Sequence, residues 1–159
     1  VSLRDLGMTM APQNAFQTLL GLETLSLRMK KHVSNSIKIA NWLEKHPKIE
    51  KVTYAGLKSS QYFNTAKSIL PKGAGALFTI SLKDGYEACM KMINKLNLFS
   101  HVSNLGDTRS LIIHPASTVH RQLTEEQQKN AGLAPNVIRL SIGIEDPKDL
   151  INDLKHALE

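Results

Sequence analysis

The feature of the sequence that most restricts the fold is a long apolar stripe with helical spacing. Pro12 suits the first turn of a helix, and Pro47 closes the pattern. Between them, apolar residues recur mainly at intervals of three and four, at Phe16, Leu19, Leu20, Leu25, Met29, Val33, Ile37, Ala40 and Leu43. This spacing predicts one long N-terminal helix over residues 12–44. We expect Leu25, Met29 and Val33 to be largely buried.

Short stretches with strand periodicity follow this helix. In the clearest, residues 75–82, the alternating side chains that we expect to be buried are Ala76, Phe78, Ile80 and Leu82. Further strands are predicted at residues 49–54, 111–113 and 137–142, and further helices at 61–70, from 84 and from 146. Helices over a small mixed or antiparallel sheet with one open face would bury these stripes. The sequence therefore predicts a two-layer α/β domain.

Length and composition indicate a single domain with its own core. The chain has 159 residues, and 42% of them are hydrophobic, so disulfides or metal are not needed for folding. The single cysteine, Cys89, lies in the apolar stripe of a predicted helix, and we interpret it as a core residue rather than a nucleophile. No apolar run approaches the ~18 residues of a membrane span, and no signal peptide is visible. We therefore expect a cytoplasmic protein.

The positive charge raises the question of an anionic partner. Twenty Lys and Arg stand against 14 Asp and Glu, a net charge of +6. The densest basic cluster, residues 28–32, lies inside the helical pattern, and aromatic residues are not interleaved with basic ones as a base-stacking surface requires. We favour a solvated basic face over nucleic-acid binding.

Arg139 departs from the strand pattern around it. Ile138, Leu140 and Ile142 share one face of the predicted strand, and Arg139 lies on the other. A guanidinium in the middle of a strand reaches solvent, pairs with a carboxylate of the protein, or binds the carboxylate of a ligand. The planar fork of arginine suits the third use. The residues alone leave the three alternatives open.

Residues 104–120 form a second unusual segment, rich in small, polar and turn-forming side chains. Such loops present backbone N–H groups to ligands, although Asn104 and Asp107 could simply bond their own backbone. His114 and His120 have no third His or Cys nearby, so we predict no metal site. We also find no phosphate-binding glycine loop, Ser-His-Asp set or paired-carboxylate motif.

Three segments resemble signatures of the Cys/Met-metabolism family of pyridoxal-phosphate enzymes. They are residues 103–120, residues 138–146, and residues 12–16 together with 21–29. The likeness runs over essentially the whole chain in the family's order. Asn104, Leu123–Gln127 and Ala131–Leu133 are most similar to the O-acetylhomoserine sulfhydrylase branch of that family.

The resemblance implies that residues 1–159 are a single C-terminal domain of a fold-type I transferase. The family's cofactor domain, with its Schiff-base lysine, would precede this chain, and nothing here matches its motifs. We therefore expect no catalytic, cofactor-binding or metal-binding residue in these 159 residues, and no activity from them alone. In the family, the residue matching Arg139 binds the substrate α-carboxylate, and those matching Asn104 and Leu105 lie beside it.

For the whole enzyme, the resemblance implies pyridoxal phosphate and a γ-replacement. Acetate leaves O-acetylhomoserine, and sulfide or a thiol takes its place, giving homocysteine or methionine. The implied partners are the amino-acid substrate, the cofactor domain and further copies of the enzyme as a homotetramer, with no nucleic acid and no membrane. The alternatives are a cystathionine γ-synthase or methionine γ-lyase type of enzyme, or a basic binding module without enzymatic activity.

Overall fold

The computed structural model describes residues 2–159, apart from the side chains of Ser2, Leu3, Glu125 and Lys129. The helices are α1 (Ser2–Leu6), α2 (Pro12–Glu23), α3 (Leu25–Leu43), α4 (Phe63–Ile69), α5 (Gly85–Lys95), α6 (Glu125–Asn130) and α7 (Pro147–Leu158), with a 3-10 turn at Pro115–Ser117. The strands are β1 (Ile49–Thr53), β2 (Leu77–Leu82), β3 (Ser100–His101), β4 (Leu111–Ile113) and β5 (Val137–Ser141). None of the described helices is long and apolar enough to cross a membrane.

The strands form one mixed sheet in the order β1-β2-β5-β4-β3. All neighbouring pairs are antiparallel except β3 and β4, which are parallel. The long strands β2 and β5 therefore lie together near the middle, and β5 is paired along both edges. This is the mixed α/β architecture that the sequence predicts.

The main core lies between one face of the sheet and helices α3, α5 and α7. Phe78, Ile80 and Leu82 point into it from β2, as predicted, and Ile138 and Leu140 do so from β5. Ala76, which precedes β2, is only half-buried. The alternation of residues 75–82 therefore identified the buried face of the central strand.

The opposite face of the sheet is less open than we expected. Leu111, Ile113 and Val137 are buried there, outside the main core cluster, and Arg139 between them is half-buried. The 3-10 turn lies against β5. The alternation of side chains in a strand does not indicate whether an irregular segment, such as this turn, packs over one of its faces.

The prediction of one long helix is wrong in two respects. The helix is interrupted at Thr24 (φ −102°, ψ 1°), so that α2 and α3 are separate, and α2 has no buried residue. Leu25 and Met29 are 39% and 38% exposed, and Val33 is only half-buried. The buried face of α3 instead consists of His32, Asn35, Ser36, Ile39, Ala40 and Leu43. Three of these are polar and therefore lie outside the apolar periodicity of the sequence.

Side-chain caps fix the starts of two helices. Asp146 Oδ1 accepts the backbone N–H of Lys148 at 2.8 Å and so begins α7. At α6, Thr124 and Gln127 exchange bonds of 2.9 and 3.3 Å in a reciprocal capping box.

Cys89 is a fully buried core residue on α5, and burial raises the pKa of its thiol to about 11. At pH 8 roughly one such thiol in a thousand is ionised, and the thiolate is the reactive form. We expect iodoacetamide at pH 8 to label the native chain at least about 100-fold more slowly than the chain in urea. Mass spectrometry measures both rates. Rapid labelling of the folded chain would contradict the core assignment.

Candidate functional site

Arg139 lies in the middle of β5, on the face of the sheet opposite the main core. It pairs with Thr79 of β2 on one side and with Ile113 of β4 on the other. Its side chain is half-buried. The antiparallel register thus fixes the backbone of Arg139 from both edges, and its side chain extends from a rigid position.

The loop between β3 and β4 brings Asn104 to Arg139. Arg139 Nη2 donates a hydrogen bond to the backbone oxygen of Asn104, 3.3 Å away. Asn104 Oδ1 accepts the backbone N–H of Leu105 at 2.9 Å, and the Leu105 side chain is 62% exposed. The structure therefore brings Arg139 and Asn104 together. Leu105 is the next residue in the loop and contacts Asn104. The N–H of Leu105 is already bonded within the loop.

The acidic residue of this loop is bound to a different arginine. Asp107 accepts the backbone N–H of Arg109 at 3.0 Å and pairs with its guanidinium at 3.0 Å. The Arg109 guanidinium holds the pKa of Asp107 down at about 2. Among the described residues, the ion pairs join Arg109 to Asp107 and Arg4 to Asp5, and Arg139 takes part in neither. Its guanidinium therefore keeps donors available for an incoming carboxylate.

The end of the same loop is held by a group of residues that the sequence analysis did not single out. Glu145 accepts the backbone N–H of Ser110 at 2.6 Å and its hydroxyl at 3.0 Å. Ser110 Oγ in turn accepts the backbone N–H of Gly143 at 2.8 Å. We call Ser110, Gly143 and Glu145 the Ser110 network. It joins the start of β4 to the turn that follows β5.

Helix α3 binds that turn from the other side. Asn35 Nδ2 donates to the backbone oxygens of Gly143 and Glu145, at 3.0 and 2.8 Å. His32 Nδ1 lies 2.6 Å from the backbone oxygen of Ile142, which requires the proton on Nδ1. These polar contacts explain why α3 buries His32 and Asn35. No local pattern in the sequence indicates these contacts, because a Gly-x-Glu segment after a strand is ordinary turn sequence.

The described residues do not by themselves enclose a pyridoxal-phosphate site. Every lysine whose side chain is described is exposed except Lys95, which is half-buried, whereas a lysine that binds the cofactor covalently must be enclosed. The buried polar side-chain atoms without a partner in the described part of the chain are His32 Nε2 and Asn35 Oδ1. His32 Nε2 is an acceptor because the proton is on Nδ1, and Asn35 Oδ1 is an amide oxygen and also an acceptor. A phosphate needs donors instead. The arrangement at Arg139 suits the carboxylate of a small molecule instead.

Comparison with known proteins gives the chain a family. The family model described as "Cys/Met metabolism PLP-dependent enzyme" matches residues 1–159. The O-acetyl-L-homoserine sulfhydrylase of Leptospira meyeri is 48% identical over 158 residues, which are 99% of this chain and 36% of that protein. An L-methionine gamma-lyase of Fusobacterium nucleatum is 41% identical over 160 residues, covering 100% of this chain and 40% of its own length.

A solved structure has the same fold. The putative O-acetylhomoserine (thiol)-lyase of Campylobacter jejuni superposes with a TM-score of 0.90 at 48% identity, over 98% of this chain and 37% of that one. The structure of that protein contains a pyridoxyl-lysine phosphate. The present chain thus spans somewhat more than a third of the length of these relatives. The fold, the match along its entire length and the three signature segments all agree, and the chain belongs to the Cys/Met-metabolism family of PLP-dependent enzymes.

Proposed function

We propose that this chain is the substrate-carboxylate part of an O-acetylhomoserine sulfhydrylase. The enzyme would replace the acetate of O-acetylhomoserine with sulfide or a thiol, giving homocysteine or methionine. The observation that carries the proposal is the Arg139 guanidinium, which lies beside Asn104 and takes part in no ion pair found among the described residues. The names of the similar proteins support the choice of reaction.

In this proposal Arg139 binds the α-carboxylate through two parallel hydrogen bonds. The pairing of β5 with β2 and β4 fixes the base of the side chain, and the bond to Asn104 orients its guanidinium. Holding the carboxylate fixes the direction of the bonds at Cα, and such positioning lowers the barrier of the step that follows. The part of this chain in the reaction is binding and orientation, and the cofactor chemistry belongs elsewhere in the enzyme.

We also propose that residues 1–159 form a C-terminal domain that packs against the cofactor domain of a longer chain. The support is the exposed apolar surface of α2, where Phe16, Leu19 and Leu20 are uncovered, together with the greater length of the relatives. A homotetramer in the cytoplasm completes the proposal. The single buried cysteine suits a reducing compartment.

The full-length protein, loaded with pyridoxal phosphate, tests the proposed reaction. It is expected to form homocysteine from O-acetylhomoserine and sulfide with a kcat/KM at least about tenfold above that for release of methanethiol from methionine. Chromatographic analysis of both products measures the ratio. The methionine γ-lyase type is the second candidate, favoured by the 41% identical relative, and a ratio in the opposite sense would establish it instead. Turnover of neither substrate would overturn the proposal.

A further inference from the structure

We propose that Glu145 is a positioning residue, which sets the place of Asn104 relative to Arg139 without touching the substrate. The inference deepens the proposed function and rests on it. In outline, the Glu145 carboxylate fixes Ser110, Ser110 ends the loop that carries Asn104, and Asn104 orients the Arg139 guanidinium.

The first step is the contact between Glu145 and Ser110. Both oxygens of the carboxylate are used, because Oε1 accepts the Ser110 N–H at 2.6 Å and Oε2 accepts its hydroxyl at 3.0 Å. Ser110 is fully buried, so water cannot replace these bonds if the carboxylate is removed. Charge-assisted bonds of this kind are stronger than neutral ones. Glu145 therefore determines where the loop ends and β4 begins.

The second step is the rigidity of the turn that carries Glu145. Asn35 on α3 binds the backbone oxygens of Gly143 and Glu145, and the backbone N–H of Ile144 donates to Thr108 O at 2.9 Å. The turn is thus held by the helix layer on one side and by the loop on the other. Because the turn is fixed in this way, the Glu145 carboxylate has a fixed position, and the position of Ser110 in the loop depends on it.

The third step is the contact between the loop and Arg139. The loop belongs to a longer segment, residues 97–110, which also contains β3. The first end of this segment is fixed as well, since Asp153 on α7 accepts the backbone N–H groups of Asn97 and Leu98 at 2.9 to 3.2 Å. Between these ends, the Asn104 backbone oxygen meets Arg139 Nη2 at 3.3 Å. A shift of Ser110 therefore changes the contact that orients the guanidinium, although Glu145 itself makes no hydrogen bond to Arg139 among those found in the described residues.

A double-mutant cycle in the full-length, cofactor-loaded enzyme tests the proposal. Glu145→Gln keeps the shape and removes the charge, and it is made both in the unmodified enzyme and together with Arg139→Ala. If Glu145 acts through Arg139, Glu145→Gln lowers kcat/KM for O-acetylhomoserine about tenfold in the first background and less than about twofold in the second. The loss should lie mainly in KM, with the cofactor absorbance unchanged.

Asn136→Ala is the matched control. Asn136 precedes β5 at its opposite end, and its Nδ2 donates to Glu50 and to the Leu82 backbone oxygen at 2.8 Å each, so its loss weakens the same strand away from the loop. It should leave KM within about twofold of the unmodified enzyme. If Glu145→Gln does not fold, Ser110→Ala removes the two hydrogen bonds of the Ser110 hydroxyl, to Glu145 and to the Gly143 N–H, and is expected to give the same non-additive pattern.

The outcomes separate this inference from the proposed function. Equal fold-losses from Glu145→Gln with and without Arg139 would overturn the positioning role alone, as would a loss in Asn136→Ala of the same size. An unchanged KM in the Arg139→Ala enzyme by itself would overturn the proposed function, and the inference with it.

Discussion

Replacing Gly143 with alanine is expected to destabilise the chain by about 3 kcal/mol or more, at the upper end of what overpacking costs. A Cβ atom at this position would lie 2.5 Å from the carbonyl carbon of Arg109, and closer still to Thr108 O and Glu145 Oε2. Real Cβ atoms do not approach other atoms so closely, and two of these neighbours are backbone atoms that cannot rotate away. The φ angle of Gly143 is not positive, so the cost is steric rather than conformational.

The thermal unfolding midpoint of the 159-residue chain, which has its own core, measures this cost. At about 2–4 °C per kcal/mol for a chain of this size, Gly143→Ala should lower the midpoint by roughly 6–12 °C. Gly21→Ala is the matched control, because nothing lies within 4 Å of a Cβ built there and Gly21 is inside α2. Alanine favours a helix over glycine by about 0.5–1 kcal/mol, so the control should be neutral or slightly stabilising. A midpoint unchanged by Gly143→Ala would show that the turn after β5 gives way easily.

The central strands could be predicted from sequence because their side chains obey a simple alternation. Phe78, Ile80 and Leu82 are buried as predicted, since β2 lies between β1 and β5 and only one of its faces meets the helices. Arg139 stood out against the same alternation. For these residues, burial follows from the hydrophobicity of the side chain and its place in the alternation, and both can be read from a single sequence.

The buried face of α3 could not be predicted in the same way. The apolar stripe through Leu25 and Met29 is exposed, whereas His32 and Asn35 are buried because they bond the turn after β5, more than 100 residues later in the chain. Such contacts depend on tertiary distances that no local pattern contains. The apolar stripe itself suits a surface that another domain covers, in agreement with the proposed packing.

The candidate site was predictable only in part, for a related reason. Arg139 is conspicuous in its strand, and the family resemblance adds Asn104 and Leu105 to it. The Ser110 network has no such signal, because serine, glycine and glutamate after a strand are ordinary turn residues. Their function depends on the register that places the start of β4 beside the end of β5.

Substituting Arg139 is expected to cause the largest loss of activity in the full-length enzyme. Arg139→Ala removes both of the hydrogen bonds proposed for the α-carboxylate and would leave a partly desolvated anion, so kcat/KM for O-acetylhomoserine should fall by roughly 100- to 1,000-fold. Arg139→Lys keeps the charge but loses the planar fork. At about 1.5–3 kcal/mol for one lost charge-assisted bond, its kcat/KM should fall by roughly 10- to 150-fold.

The ligand itself provides the decisive control for this assignment. If Arg139 binds the α-carboxylate, the unmodified enzyme should prefer O-acetylhomoserine strongly over the corresponding carboxamide, and Arg139→Ala should lose most of that preference. The cofactor absorbance should not change, because the proposed role of Arg139 is to hold the substrate and not the cofactor. Arg121→Ala, at an exposed arginine, should retain both activity and preference. Equal preference for the carboxylate in the unmodified and Arg139→Ala enzymes would mean that the guanidinium does not bind the α-carboxylate.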